Sequence, residues 1–205
     1  MKLFLLVPFL FPVSGKLPLI EEFDHVVMAR LTSPPARAGM LDREPLGMSR
    51  VAFPDSYGRH FSPIISNSRD FIPQNEHEKE LLAQLENADL ELGIYLFGER
   101  VVDQPATAMD YRSMKGPAVV TKGTARTNLP SWNAAYPLAE KAMKSFSDGG
   151  HGFETKLDGW TIAARPAIAN NARCVTCHNM QRIQGRKPLQ TGDAIGGVLY
   201  AYKTH

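Results

Sequence analysis

The sequence predicts an α+β domain: an antiparallel sheet with helices packed against it. Three observations carry this. Ala135, Leu138, Ala139, Ala142, Met143 and Phe146 recur at helical spacing and stop at Asp148-Gly149-Gly150, a helix end. Phe153 to Leu157 and Trp160 to Ala164 flank Asp158-Gly159, a pair that tolerates the positive φ of a two-residue hairpin. Ile195 to Tyr202 closes the chain as an apolar strand. Strands that follow one another through a hairpin, with helices set apart from them, suit an antiparallel sheet.

Taken in order, the chain starts with Met1-Lys2, an apolar run from Leu3 to Val13, and Ser14-Gly15-Lys16. A basic residue, a short apolar run and small residues make residues 1–15 the pattern of a signal peptide. The run is too short for a bilayer of ~30 Å, which needs about 20 residues. A buried N-terminal segment is the alternative. No other stretch is apolar enough to span a membrane, so the mature chain is expected to be exported, periplasmic or equivalent, without a stable membrane span. Residues 16–92 read as a Pro-rich segment plus an acidic helix. Proline after proline between positions 31 and 75 favours irregular chain or short strands. Asn75 with Glu78 then resembles a capping box, and Leu81, Leu82, Leu85 and Ala88 predict a helix over about 76–90.

Residues 93–205 form the expected functional domain. Ile94 to Phe97 and Val101-Val102 flank Gly98-Glu99-Arg100 as a hairpin, and Ala118 to Val120 reads as a strand. The helix and hairpin described above follow. Residues 168–190 look irregular before the last strand. The sequence holds no internal repeat or low-complexity tract, and with 43% hydrophobic and 21% charged residues it reads as an ordinary globular chain. Lys and Arg total 23 against 21 Asp and Glu, a net charge of +2, which argues against nucleic acid as a partner.

The chemistry lies in Cys174-Val175-Thr176-Cys177-His178, the pattern of c-type haem attachment. Two thiols this far apart can form thioethers with the two haem vinyl groups. The adjacent His178 then offers an imidazole nitrogen to the iron as its proximal ligand. These are the chain's only two cysteines. Three other readings fit less well. A structural zinc site needs a second ligand cluster, and none is evident. A thioredoxin-like pair belongs at a helix start after an early strand, whereas this pair lies near the C-terminus on an Asn-rich loop. A disulfide between such close cysteines would constrain almost no chain.

Arg126-Thr127-Asn128-Leu129-Pro130-Ser131-Trp132, then Arg165-Pro166, Cys174 to His178, and Gly192-Asp193-Ala194-Ile195-Gly196-Gly197 follow one another over roughly residues 90–205. Together they resemble the haem-PAS family of small exported c-type haem proteins, which includes cyanobacterial haem proteins and the sensor domains of chemoreceptors. The resemblance implies a PAS-like antiparallel sheet with flanking helices, a haem-attachment loop before the last strand, and one covalent haem c. Here the family's Asn-Pro-x-Asn-x-Pro run reads Arg126 to Pro130, and Asn133 stands where an acid commonly follows Trp132.

The sixth iron ligand stays open. His151, in Gly149-Gly150-His151-Gly152, and His60, in Tyr57-Gly58-Arg59-His60-Phe61, are the candidates, although either also reads as a solvated loop residue. His25 is a further candidate, His77 reads as a surface residue, and Met109 and Met114 on a possible short helix read as core. Residues 165–205 hold Arg165, Arg173, Arg182, Arg186, Lys187 and Lys203 against Asp193 alone, while residues 70–91 hold seven acids against Lys79. Some arginines could pair haem propionates, and the rest could form a rim for an acidic redox partner. The expected function is therefore that of an exported monohaem c-type cytochrome, a single-electron carrier rather than an enzyme. The alternative is a haem-based redox or gas sensor acting through a partner. Peroxidase-like catalysis lacks a recognisable acid–base constellation.

Overall fold

The structure, a computed structural model, describes residues 17–32, 70–71, 73–102, 114–180 and 186–204. The expected signal peptide, His60, Met109 and Arg182 lie outside the described residues. Helix α1 (Leu17–Thr32) comes first, then α2 (Glu76–Asn87), strand β1 (Leu90–Gly98) and a 3-10 turn (Glu99–Val102). Strand β2 (Met114–Val119), a second 3-10 turn (Arg126–Asn128) and α3 (Trp132–Ser147) follow. The chain ends with β3 (Phe153–Leu157), β4 (Trp160–Ile168), α4 (Ala172–Met180) and β5 (Ala194–Thr204).

The five strands form one antiparallel sheet in the order β2-β1-β5-β4-β3. The α+β class is thus present. The Asp158-Gly159 hairpin forms as expected, with both residues at positive φ, 50° and 80°. The central strand β5 carries side chains into both layers, so nearly its whole length is buried. Gly197 allows this close approach: a Cβ there would lie 2.5 Å from the Phe97 ring and 2.7 Å from the Arg165 carbonyl oxygen. Pro166 lies beyond the end of the β3–β4 pairing, where its missing N–H removes no ladder bond to β3.

One face of the sheet packs against α3. Ala135, Tyr136, Ala139, Ala142, Met143 and Phe146 are buried against Phe97, Ile162, Ala164 and Leu199. Ser131 caps this helix by accepting from the Ala134 N–H at 3.2 Å. The run before it is pinned by its carbonyls: Tyr95 donates its hydroxyl to Pro130, and Trp160 Nε1 donates to the Asn128 oxygen at 2.9 Å.

The opposite face is covered by α1 and α2. Ile20, Phe23, Val27 and Leu31 of α1 and Leu81 and Leu85 of α2 join Leu92, Ile94, Leu96, Val198 and Tyr200 in one core. The N-terminal elements therefore share a core with the sheet. Asn75 caps α2 as the sequence suggests, accepting from the Glu78 N–H at 2.9 Å. Glu78, however, turns inward to pair with Arg30 of α1 and accept from the Gln74 N–H at 2.6 Å.

Three local expectations are corrected. Val101-Val102 belongs to a 3-10 turn and not to a hairpin strand, because Val101 is buried against α3 and its carbonyl accepts from the Tyr136 hydroxyl at 2.9 Å. Met114 begins strand β2 and not a short helix, although it is core as expected. The segment 168–190 includes the helix α4, so the Cys174–His178 motif stands on a helix and not on a loop.

Candidate haem-attachment site

The motif sits on an excursion between β4 and β5 whose base is closed by backbone bonds. The Ala169 N–H donates to the Asp193 oxygen at 2.9 Å, and the Gly192 N–H donates to the Ala169 oxygen at 2.8 Å. Inside this base Asn171 starts α4, its side chain accepting from the Cys174 N–H at 3.1 Å in the manner of an N-cap. At the other end Asn179 clamps the returning chain: its Nδ2 donates to the Leu189 oxygen at 3.0 Å and its Oδ1 accepts from the Leu189 N–H at 2.8 Å. Two asparagine side chains thus hold the two ends of this nine-residue helix.

On this helix positions 174, 177 and 178 are related as i, i+3 and i+4 and so share one face. Cys174 is a free thiol, 6% exposed, among Ala169, Leu189 and Ile195. Its Sγ lies 3.6 Å from the Thr32 carbonyl oxygen at the end of α1 and 3.8 Å from Oδ1 of Asn170. Asn171 Nδ2 donates to the same Thr32 oxygen at 3.4 Å. His178 is half-buried, with Nδ1 3.9 Å from Oε1 of Glu99, the residue that follows β1. The end of α1, the first turn after β1 and the helix α4 therefore meet at the motif.

These residues fit a covalently held haem. Two cysteines and one histidine stand within just over one turn of a single helix, and Nδ1 of His178 faces a carboxylate, which leaves Nε2 for a metal. Among the described residues no group of three or more His, Cys, Asp or Glu side chains gathers as a metal-ion site.

The other candidates scatter. His151 is exposed between α3 and β3, His25 is exposed on α1, and His77 is exposed on α2, 3.6 Å from Glu22. Among the described residues the basic side chains are spread over the sheet and the excursion. Arg165 lies 3.7 Å from Glu154, and Lys203 lies 3.2 Å from Glu91 and over the Trp160 ring. Lys203 is at the opposite end of β5 from the excursion, whereas Lys187 is exposed and Arg186 half-buried on the excursion itself. Sequence reasoning missed Thr32, Glu99, Asn171 and Asn179. Asn171, three residues before Cys174, was readable as a cap; nothing in the sequence links Glu99 to His178.

A second polar group is buried on the α1 side. The Tyr200 hydroxyl donates to Oδ1 of Asp24 at 2.6 Å, tying α1 to the central strand. Burial raises the Asp24 carboxyl above its usual value, against the lowering influence of the Tyr200 bond and of Arg165. Burial, with Asp24 nearby, pushes the Tyr200 phenol well up. Burial and Glu154 push Tyr202 up to about 12.

Comparison of the chain with protein-family models, with curated proteins and with solved structures finds no significant match.

Proposed function

We propose that this protein is an exported monohaem c-type cytochrome, carrying single electrons with one haem c bound covalently to Cys174 and Cys177 and ligated by His178. The observation that carries the reading is the shared helical face of positions 174, 177 and 178, on a helix fixed at both ends by asparagine side chains. When bound, the haem supplies a one-electron couple whose potential depends on axial ligation, hydrogen bonding and burial. The protein's part is to tether, orient and insulate. Cys174 and Cys177 hold the group in place, and His178 presents Nε2. Asn171 and Asn179 keep α4 from shifting against the sheet. A fixed site reorganises little on electron exchange.

The antiparallel order β2-β1-β5-β4-β3, with α3 in the connection from β2 to β3, supports a PAS-like sheet. Arg186 and Lys187 on the excursion suit an acidic, exported redox partner, so electron exchange is expected to slow as salt rises. His151 and His60 remain the proposed candidates for the sixth ligand.

A sensor is the second reading, favoured by one observation: α4 and α1 share the Thr32 carbonyl, so displacement of α4 would be felt by α1. Expression with a working cytochrome c maturation system tests the main reading. Haem staining that survives denaturation and acid-acetone extraction is expected, and a His178→Ala variant should keep the stain while its axial spectrum changes. An unchanged low-spin spectrum in His178→Ala would remove His178 as the ligand. Rapid carbon monoxide binding to the reduced protein would reverse the order of the two readings.

A further inference from the structure

We infer that Glu99 is a positioning residue for the proximal histidine: its carboxylate engages the outer nitrogen of His178 and lowers the reduction potential of the iron. This rests on the haem reading above. A metal-bound imidazole keeps one ring N–H for a second partner. A carboxylate in that place fixes the ring and strengthens the metal-bound nitrogen as a donor.

The geometry meets these requirements on three counts. Nδ1 of His178 lies 3.9 Å from Oε1 of Glu99, so the nitrogen facing the carboxylate is the one not needed for the iron. Reaching a hydrogen bond of about 2.9 Å needs roughly 1 Å of side-chain movement. The two side chains are 16% and 13% exposed, so solvent and salt screen the pair less than they would an open surface pair. The backbone of Glu99 is also held from both sides. Gly98 before it pairs with Gly196 of the central strand. Val101 after it is fully buried, with its carbonyl accepting from the Tyr136 hydroxyl at 2.9 Å. The carboxylate is therefore presented to α4 by a rigid part of the fold. Negative charge beside the proximal ligand stabilises the more positive, oxidised iron, which is a lower potential.

The test is a spectroelectrochemical titration of the holoprotein and three variants. Glu99→Gln keeps the shape and removes the charge. It is expected to shift the one-electron equilibrium about tenfold toward the ferrous form, a potential about 59 mV more positive. Glu99→Asp keeps a carboxylate on a shorter arm and is expected to fall between wild type and Glu99→Gln. Glu80→Gln, on an exposed position of α2, is expected to leave the potential unchanged. An unchanged potential in Glu99→Gln with its haem intact overturns the inference while leaving the cytochrome reading standing. Equal shifts in Glu99→Gln and Glu80→Gln also overturn it, since net charge alone would then be acting. If Glu99→Gln does not accumulate, Glu99→Asp decides, with a positive shift expected and no shift contradicting. Wild-type protein without covalent haem would overturn the cytochrome reading first and this inference with it.

Discussion

The two faces of the sheet differ in what they bury. Under α3 the core is apolar and aromatic, with Phe97 and Phe146 stacked at 6.4 Å and Trp132 against Tyr136 at 4.7 Å, and the hydrogen bonds of Tyr95, Tyr136 and Trp160 run from neutral side chains to backbone carbonyls. Under α1 and α2 an apolar core of similar extent also encloses the Arg30–Glu78 pair, the Tyr200–Asp24 bond and the Cys174 thiol. Buried polar groups cost desolvation and return little net stability, but they demand one particular arrangement of their elements. One face thus holds the sheet together, and the other fixes α1, α2 and α4 in register around the motif.

That division is easiest to break from the apolar side. Phe146→Ala empties a core position under α3 and is expected to cost about 3–5 kcal/mol, read by urea denaturation. The haem stain of whatever fraction remains folded should be unaffected; loss of attachment in folded protein would show that the faces are not separable. On the other side, Arg30→Ala leaves the buried carboxylate of Glu78 without its cation and is expected to cost about 3 kcal/mol. A cost below about 0.5 kcal/mol, the scale of an exposed pair, would mean that the pair is effectively solvated.

Tyr200→Phe is expected to cost less, about 1–3 kcal/mol, because it removes one hydroxyl and leaves the Asp24 carboxyl without that donor. The smallest effect concerns pH. Burial raises the Asp24 pKa above its unfolded value of 3.8, so the folded state holds this proton more tightly than the unfolded state. The contribution of Asp24 is then most favourable below pH 3.8 and declines as pH rises toward and through the folded pKa. Asp24→Asn should gain stability relative to wild type between about pH 4 and about pH 7, and a difference that does not change over that range would contradict the assignment.

The apolar face was also the more legible one in the sequence. The α3 stripe reports a helix because each of its members is buried against the same sheet, and Asp158-Gly159 reports a hairpin because backbone chirality restricts which residues accept positive φ. The polar-bearing face was harder to read. Ile20, Phe23, Val27 and Leu31 mark the buried stripe of α1, but Glu21, Glu22, Asp24 and His25 between them and the Pro-rich chain beyond obscure it. Among the described side chains of α4, Cys174 and Val175 join the apolar core, and asparagine side chains hold the helix at both ends, a contribution that periodicity does not report. At the site, Cys174, Cys177 and His178 are visible because they stand together in one short run of the sequence, at the spacing that the proposed covalent attachment requires. Glu99 is not, since it is 79 residues from His178 and meets it only through the fold.

Mass spectrometry of the intact protein reads covalent attachment at Cys174 and Cys177. Protein matured with the cytochrome c system should carry the added mass of one haem after denaturation, with the modified peptide spanning both cysteines, and Cys174→Ala with Cys177→Ala together should remove it. Unmodified wild-type protein under those conditions, or haem retained when both cysteines are replaced, would rule out covalent haem at Cys174 and Cys177.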